Sequence, residues 1–188
     1  MCAEPIDAPT TRGVTAMNCM CEYQSPIGPI TLASDGDSLT GLWLKNQKYY
    51  AHTLPQDTVK KRVPVLDQAM EWLDRYFAGE QPSATIPMAP AGSPFRQAVW
   101  QILRAIPYGE TTTYREIAGK IATLYGRPSM SAQAVGGAVG HNQISIIIPC
   151  HRVLGSDGSL TGFAGGVDKK AWLLRLEKAE RGVAAGRY

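Results

Sequence analysis

The stretch that most constrains this chain is Ile144–Gly155, ISIIIPCHRVLG. Four of its first five residues are isoleucine, and Pro149-Cys150-His151-Arg152 follow without a spacer. The isoleucine run demands burial, and what it carries at its end is reactive. A thiol beside an imidazole and a guanidinium loses its proton readily, because nearby positive charge favours the thiolate. The run is therefore expected to be a rigid strand or extended segment that presents one nucleophile. The alternative is a buried cysteine that merely adjoins a histidine.

With 188 residues the chain can hold one large domain or two small ones and can bury a real core. A composition of 44% hydrophobic and 19% charged residues is that of an ordinary globular protein. The net charge of +3 permits an anionic partner, but proteins that hold nucleic acid mainly by charge are more basic. Any DNA binding should then be local and shape-driven. No run approaches the roughly 20 apolar residues of a membrane span, and Met1–Ala16 lacks an apolar core of signal length. With four cysteines, Cys2, Cys19, Cys21 and Cys150, a cytoplasmic, thiol-reducing setting is expected. Cys2, Cys19, Cys21 and His52 do not match a standard zinc spacing, so ordinary packing and no metal are expected.

Residues 1–16 read as a mobile lead and 17–80 as a small α/β scaffold. Met17–Gln24, Ile30–Ser34 and Ser38–Leu44 have strand character, with Asp35-Gly36-Asp37 as a hairpin turn. Val65–Ala78 places Leu66, Met70, Leu73 and Phe77 at helical spacing, and Gly79 stands where a C-terminal cap belongs. Nothing in this half looks catalytic. Residues 81–92, rich in Pro, Ala and Ser, form a linker or extended crossing segment.

Residues 93–180 form the second domain, with 181–188 as a tail. Ser93-Pro94 opens a helix with Phe95, Val99, Trp100, Leu103 and Ile106 inward, stopped by Pro107-Tyr108-Gly109. Thr113-Tyr114-Arg115-Glu116 is a capping-box pattern that starts another, with Ile117, Ala118 and Ile121 inward. After a turn through Tyr125–Ser129 comes SAQAVGGAVG, Ser131–Gly140. Two short helices around a turn suggest a helix-turn-helix. Ala132, Ala134, Gly136, Gly137 and Ala138 make the second helix nearly smooth, although each glycine costs about 1 kcal/mol relative to Ala. Either it packs closely on another helix or it approaches a narrow nucleic-acid groove. Gly155–Gly166 is a glycine-rich connection without the Walker pattern, which argues against nucleotide binding. Asp168–Lys178 is the last helix, with Trp172, Leu173 and Leu176 inward.

PCHR after an isoleucine-rich run, followed by LTGFAGG (160–166) and AWLLRLE (171–177), resembles the O6-alkylguanine-DNA alkyltransferases. The resemblance is strong from about Ser93 to Glu177 and looser before that. It implies an α+β protein: a small ribonuclease H-like domain, then a mainly helical domain with a winged-helix-like helix-turn-helix. It also implies repair of duplex DNA containing O6-alkylguanine, with O4-alkylthymine as a further candidate lesion, by irreversible alkyl transfer to Cys150. That activity would need one monomer, no cofactor and no membrane.

By the same resemblance His151 is the base, acting through a water, Glu177 the buried acid that orients it, and Asn142 the brace of the turn and of the His–water network. Tyr114 helps rotate the nucleotide out of the duplex and hydrogen-bonds the base, which Phe163 lines. The carbonyls of Cys150 and Val153 and the amide of Ala164 read the guanine edge. Gln133, Ala134, Gly136, Gly137 and Arg115 face DNA, and Arg152 contacts DNA or braces the site. Three departures from the family stand out. Gln133 replaces an Arg that fills the gap left by the flipped base, and Phe163 replaces a Tyr. Asn142-Gln143 replaces Asn-Pro, which should loosen a rigid turn. A non-catalytic lesion-binding protein of the same fold is the alternative; a sequence-specific helix-turn-helix regulator and a thiol hydrolase fit less well.

Overall fold

In the first half, residues 21–25 alternate half-buried with exposed positions, Gly28–Ser34 and Leu39–Leu44 are largely buried, and the chain folds into a meander. The computed structural model describes residues 17–83 and 85–177; the expected mobile lead 1–16 and the tail 181–188 lie outside them. Cys19–Ser25 (β1) turns tightly into Gly28–Ser34 (β2), with Cys19 opposite Ser34 and Ser25 opposite Gly28. Leu39–Leu44 (β3) pairs antiparallel with β2 across a bulge at Ala33/Ser34. The expected Asp35–Asp37 turn joins them, its geometry fixed by Asp35 Oδ1, which accepts from the amides of Asp37 and Ser38. Val59–Lys60 (β4) adds parallel to β1, giving the order β3-β2-β1-β4. Two residues carry no periodic signal, so β4 was not expected.

Pro64–Phe77 (α1) packs on this sheet and ends at Gly79, whose φ of +84° lies in the left-handed region that glycine favours. Its inward face is turned slightly from the expected one: Ala69 and Tyr76 are buried, and Met70 and Phe77 only half-buried.

β3 would leave an open edge, and two later segments cover it. Leu39 donates to Pro87 O at 2.8 Å and accepts from Ala89 N at 2.9 Å, so the Pro-rich segment does run extended across the molecule. Further along, Leu42 donates to Gln143 O at 2.7 Å and accepts from Ser145 N at 2.9 Å. The isoleucine run is thus moored to the sheet of the first half. It is not the rigid strand or extended segment expected. Only Ile144 pairs with β3, Ile146 takes a left-handed φ of 72°, and Cys150–Arg152 close into one turn of 3-10 helix. Pro149 precedes that turn and cannot donate to a ladder, which stops any strand from continuing.

Among the described residues the second half holds four α-helices: Pro94–Arg104 (α2), Tyr114–Leu124 (α3), Ala132–Gly140 (α4) and Val167–Leu176 (α5). Ser93 caps α2, Ser131 caps α4, and Thr113 and Glu116 form the full capping box of α3. Thr112–Thr113 (β5) and Val153–Leu154 (β6) pair in parallel, tying the start of α3 to the chain just after Cys150. One hydrophobic cluster runs from Cys19 in β1 to Leu173 in α5. On α5 Leu173 is fully buried as expected, but so is Lys170, whereas Trp172 and Leu176 are half-buried. No helix among the described residues is long and apolar enough to cross a membrane.

Candidate active site

A 3-10 turn has three residues per turn, so three successive side chains leave it in three directions. Cys150, His151 and Arg152 use this to face different partners, and all three are buried. The sulfur meets Asn142, whose Nδ2 donates to Cys150 Sγ at 3.1 Å and to Ile148 O at 2.8 Å. Asn142 Oδ1 accepts from Ile144 N at 3.0 Å, so a single side chain ties both ends of the isoleucine loop to the sulfur.

Glu177, the cap residue of α5, receives the other two. Its Oε1 accepts from His151 Nε2 at 2.7 Å, Arg152 Nη2 at 2.9 Å and the Tyr76 hydroxyl at 2.6 Å. Its Oε2 accepts from Arg152 Nε at 2.8 Å and Gly109 N at 3.3 Å. Burial pushes this carboxyl up, but the hydrogen bonds and charges of His151 and Arg152 outweigh it and hold it well below the usual carboxylate range. An ionised carboxylate only accepts, so the His151 proton sits on Nε2. His151 Nδ1, buried and without a hydrogen-bond partner among the described residues, keeps its lone pair. Burial lowers the imidazole's proton affinity more than Glu177 raises it, so the pair rests as neutral His and charged Glu. No hydrogen bond among the described residues joins the imidazole to the sulfur.

Burial raises the Cys150 thiol; the Asn142 hydrogen bond and the charge of Lys170 work against it. The Lys170 ammonium donates to the carbonyls of Val153 and Thr161. Burial lowers its pKa to about 8. Neither Lys170 nor Tyr76 was singled out from the sequence. A Lys in AWLLRLE-type helical context looks like a solvated charge, and Tyr76 looks like one more core aromatic at helical spacing.

Arg152 needs correction as a DNA contact. It is only 7% exposed; its guanidinium is occupied by Glu177, by Ile106 O at 2.7 Å and by the Tyr108 ring at 5.6 Å. The bracing role remains. Gln143 is also not loose. Its side chain is buried, accepts from Ala91 N at 3.0 Å and donates to Ala91 O, so it replaces the rigidity of a proline with a two-point tie.

Between α3, α4 and the glycine-rich connection lies a cleft of about 670 Å³ lined by Tyr114, Arg115, Ala132, Gln133, Gly136, Gly137, Ser156 and Gly162. Ala134 is exposed on α4 but outside that lining. The Tyr114 hydroxyl donates to Thr161 O at 3.1 Å and Gly162 O at 3.3 Å, and burial pushes its pKa up to about 12. A Cβ at Gly162 would sit 2.3 Å from this hydroxyl, so only glycine admits Tyr114 here. The Phe163 ring stands edge-on to His151 at 6.4 Å, and Ala164 is half-buried with its carbonyl bonded to Lys48 N at 2.9 Å. Val153 is fully buried, its carbonyl turned to Lys170.

The smooth surface of α4 is not explained by packing inside the protein. A Cβ at Gly137 would meet nothing within 4 Å, and one at Gly136 only the Tyr114 ring at 3.8 Å. Of the zinc candidates, Cys19 is buried in the core with its thiol donating to Met17 O at 3.4 Å, and His52 bonds Tyr49 O. Cys2 lies outside the described residues. No group of three or more His, Cys, Asp or Glu among the described residues is arranged to hold a metal.

This geometry can be set beside known proteins. Residues 22–90 match the ribonuclease-like domain of 6-O-methylguanine DNA methyltransferase, and residues 94–179 match its DNA binding domain. The methylated-DNA–protein-cysteine methyltransferase of Haemophilus influenzae is 45% identical over 157 residues, 83% of this chain and 84% of that protein. The constitutive enzyme of that name from Bacillus subtilis is 38% identical over 165 residues, 86% of this chain and 96% of that protein. In three dimensions, Mycobacterium tuberculosis OGT, solved in complex with DNA, superposes with a TM-score of 0.73 at 41% identity. The match covers 87% of this chain and 93% of that one. With both halves matched in order and relatives this similar along most of its length, the chain belongs to the 6-O-methylguanine DNA methyltransferase family.

Proposed function

We propose that this protein repairs DNA by direct reversal, as a methylated-DNA–protein-cysteine methyltransferase that takes the alkyl group of O6-alkylguanine onto Cys150. The observation that carries the reading is the buried line from Asn142 through Cys150 and His151 to Glu177, which can ionise a thiol without a cofactor. Cys150 passes its proton to the free Nδ1 of His151, through a water because sulfur and imidazole do not bond directly. Glu177, itself fixed by Arg152, holds the imidazole, and the carboxylate stabilises the imidazolium as it forms. The Asn142 amide and the Lys170 ammonium stabilise the thiolate.

The thiolate attacks the alkyl carbon, so an S–C bond forms while the C–O6 bond breaks. The electron pair goes to the base, and the proton lost by the thiol ends on guanine. Water does not readily cleave a thioether, so each molecule acts once.

An alkyl group on O6 lies inside the stacked duplex, and the nucleotide must turn out to reach a buried sulfur. The α3–α4 pair and the cleft beside it are the DNA face in this reading. The open space around Gly136 and Gly137 lets α4 approach a minor groove closely. Gln133 would fill the vacated stack, Tyr114 would crowd the phosphate and hydrogen-bond the base, and Arg115 would meet the backbone. Phe163 lines the base pocket. The carbonyls of Cys150 and Val153, each with a second lone pair, and the Ala164 amide would read the base edge.

Incubation with O6-methylguanine duplex DNA followed by peptide mass spectrometry tests the reading. The expected result is one CH2 gained per molecule on the peptide containing Cys150, lost in Cys150→Ser, which still binds DNA. A gain on Cys2, Cys19 or Cys21, or release of many products per protein, would overturn it.

A further inference from the structure

Tyr76 belongs to α1, in the half of the chain that reads from sequence as a scaffold. Its side chain is fully buried. The ring stacks on Trp72 at 5.2 Å and meets Phe77 and Tyr108 edge-on at 5.5 and 6.1 Å. Those contacts fix where the hydroxyl ends, and it ends inside the reactive network. It donates to Glu177 Oε1 at 2.6 Å and stands 3.4 Å from His151 Nε2, which bonds the same oxygen at 2.7 Å. Phenol and imidazole therefore share one carboxylate oxygen, although the phenol and the carboxylate lie 101 residues apart.

We propose that Tyr76 is a positioning residue for alkyl transfer: its hydroxyl holds Glu177 in line with His151 and withdraws negative charge from the oxygen that stabilises the imidazolium. This inference rests on the alkyl-transfer reading above. A hydrogen bond to an ionised acceptor is short and strong, and it drains charge from that acceptor. What the phenol takes from Oε1 is no longer available to His151. Tyr76 thus restrains the basicity of the imidazole while it locks the carboxylate in place. The first half of the chain is then part of the reactive machinery, and its docking is read out at the thiol.

The other charged or titratable groups facing this cluster are Arg152 from the 3-10 turn, Lys170 from α5, Tyr108 from the segment after α2 and Tyr114 from α3. On α1 itself, Asp74 is turned away and accepts from the Tyr23 hydroxyl at 2.7 Å. None of these groups donates to Oε1 except Arg152, which is needed there for its charge. Burial, followed by the charge and hydrogen bond of Glu177, raises the Tyr76 phenol well above its ordinary value, so it stays a donor at every pH of interest.

The test is the full-length Tyr76→Phe protein, with the rate of Cys150 alkylation by free O6-benzylguanine followed against pH. Free base needs no duplex, so the readout reports the thiol and its relay alone. Without the phenol, Oε1 holds the imidazolium more tightly and the thiolate forms at lower pH. The acid midpoint should fall by about half a unit to one unit, the share of one hydrogen bond to a charged group. The plateau rate should fall roughly threefold to tenfold because the carboxylate is less fixed, and duplex affinity should not change. Glu177→Gln should move the midpoint the other way, which separates tuning from general damage.

If Tyr76→Phe does not fold, 3-fluorotyrosine at position 76 keeps the packing and makes a stronger donor, and it should raise the midpoint. A folded Tyr76→Phe protein, or a fluorinated one, with an unmoved midpoint would refute the proposal and reduce the hydroxyl to packing. A wild-type protein that does not react at Cys150 would overturn the alkyl-transfer reading and this one together. A reactive wild type with unmoved variants overturns only the role of Tyr76.

Discussion

Glu177→Gln puts the whole relay under test. The carboxylate takes five donors: two from Arg152 and one each from His151, Tyr76 and Gly109. Glutamine offers one oxygen and one NH2, so whichever way it turns, a donor faces donors. The less costly orientation points the NH2 at Arg152 Nε and Gly109 N, keeping the oxygen for the three donors on the other side. Arg152, only 7% exposed, then loses its counterion. Breaking one side of a buried ion pair costs about 3–5 kcal/mol. For a chain of this size each kcal/mol moves Tm by roughly 2–4 °C, so Tm should fall on the order of 10 °C. Transfer should slow by about 10²-fold or somewhat less, the lower end for positioned acid–base groups, with duplex affinity retained below the new Tm. The acid midpoint of Cys150 alkylation should rise, because the imidazolium has lost its partner.

The pH dependence of stability adds a second check. The folded carboxyl lies below its ordinary value of 4.5, so its contribution is fully present above that pH and is lost as pH falls from 4.5 toward the folded value. Wild type should therefore lose stability below pH 4.5 more steeply than Glu177→Gln. Thermal melts against pH, together with alkylation kinetics, read both effects. A lowered Tm with an unmoved alkylation profile would mean that Glu177 only supports packing. An unmoved Tm would refute the ion-pair argument itself.

Two more perturbations address the proposed DNA face. Gln133→Arg should tighten duplex binding modestly, by about one extra counterion's worth of salt dependence; Gln133→Ala should slow repair of duplex DNA far more than reaction with free O6-benzylguanine. Equal effects on both substrates would place Gln133 in the pocket or the fold. Gly137→Ala should raise Tm, since the new Cβ meets nothing within 4 Å and Ala is preferred in a helix by about 1 kcal/mol, yet it should weaken duplex binding several-fold. A raised Tm with unchanged affinity would show that α4 does not approach the groove closely.

Much of this protein was legible in its sequence because the signals are local. Capping boxes, glycine stops and apolar stripes act within a few residues, so the helices after Ser93 and Thr113 stand where Ser93, Thr113 and Glu116 set them. The family resemblance carried by PCHR, LTGFAGG and AWLLRLE implies Cys150, His151 and Glu177 together, and the fold brings the last two within 2.7 Å. Local signals misled most where a distant partner decided. The isoleucine run reads as a strand, but its first residue pairs with Leu42 and Asn142 pulls the rest into a loop. Gln143 reads as a loosened proline site, yet Ala91 supplies both partners for its amide.

Tertiary structure alone decided what surrounds the carboxylate and the thiol. From the sequence Arg152 either contacts DNA or braces the site, and burial against Glu177 and Ile106 decides for the brace. Lys170 sits in a charged stretch of α5 and becomes a buried ammonium because two carbonyls, 9 and 17 residues away, meet it. Tyr76 has the spacing of any core aromatic, and nothing near it in the chain reveals that its hydroxyl will find a carboxylate on the last helix. Periodicity determines which face of a helix is buried, but not which buried atom needs a partner. That choice is made when the segments pack, because a buried polar group must find its hydrogen bond wherever the fold supplies one.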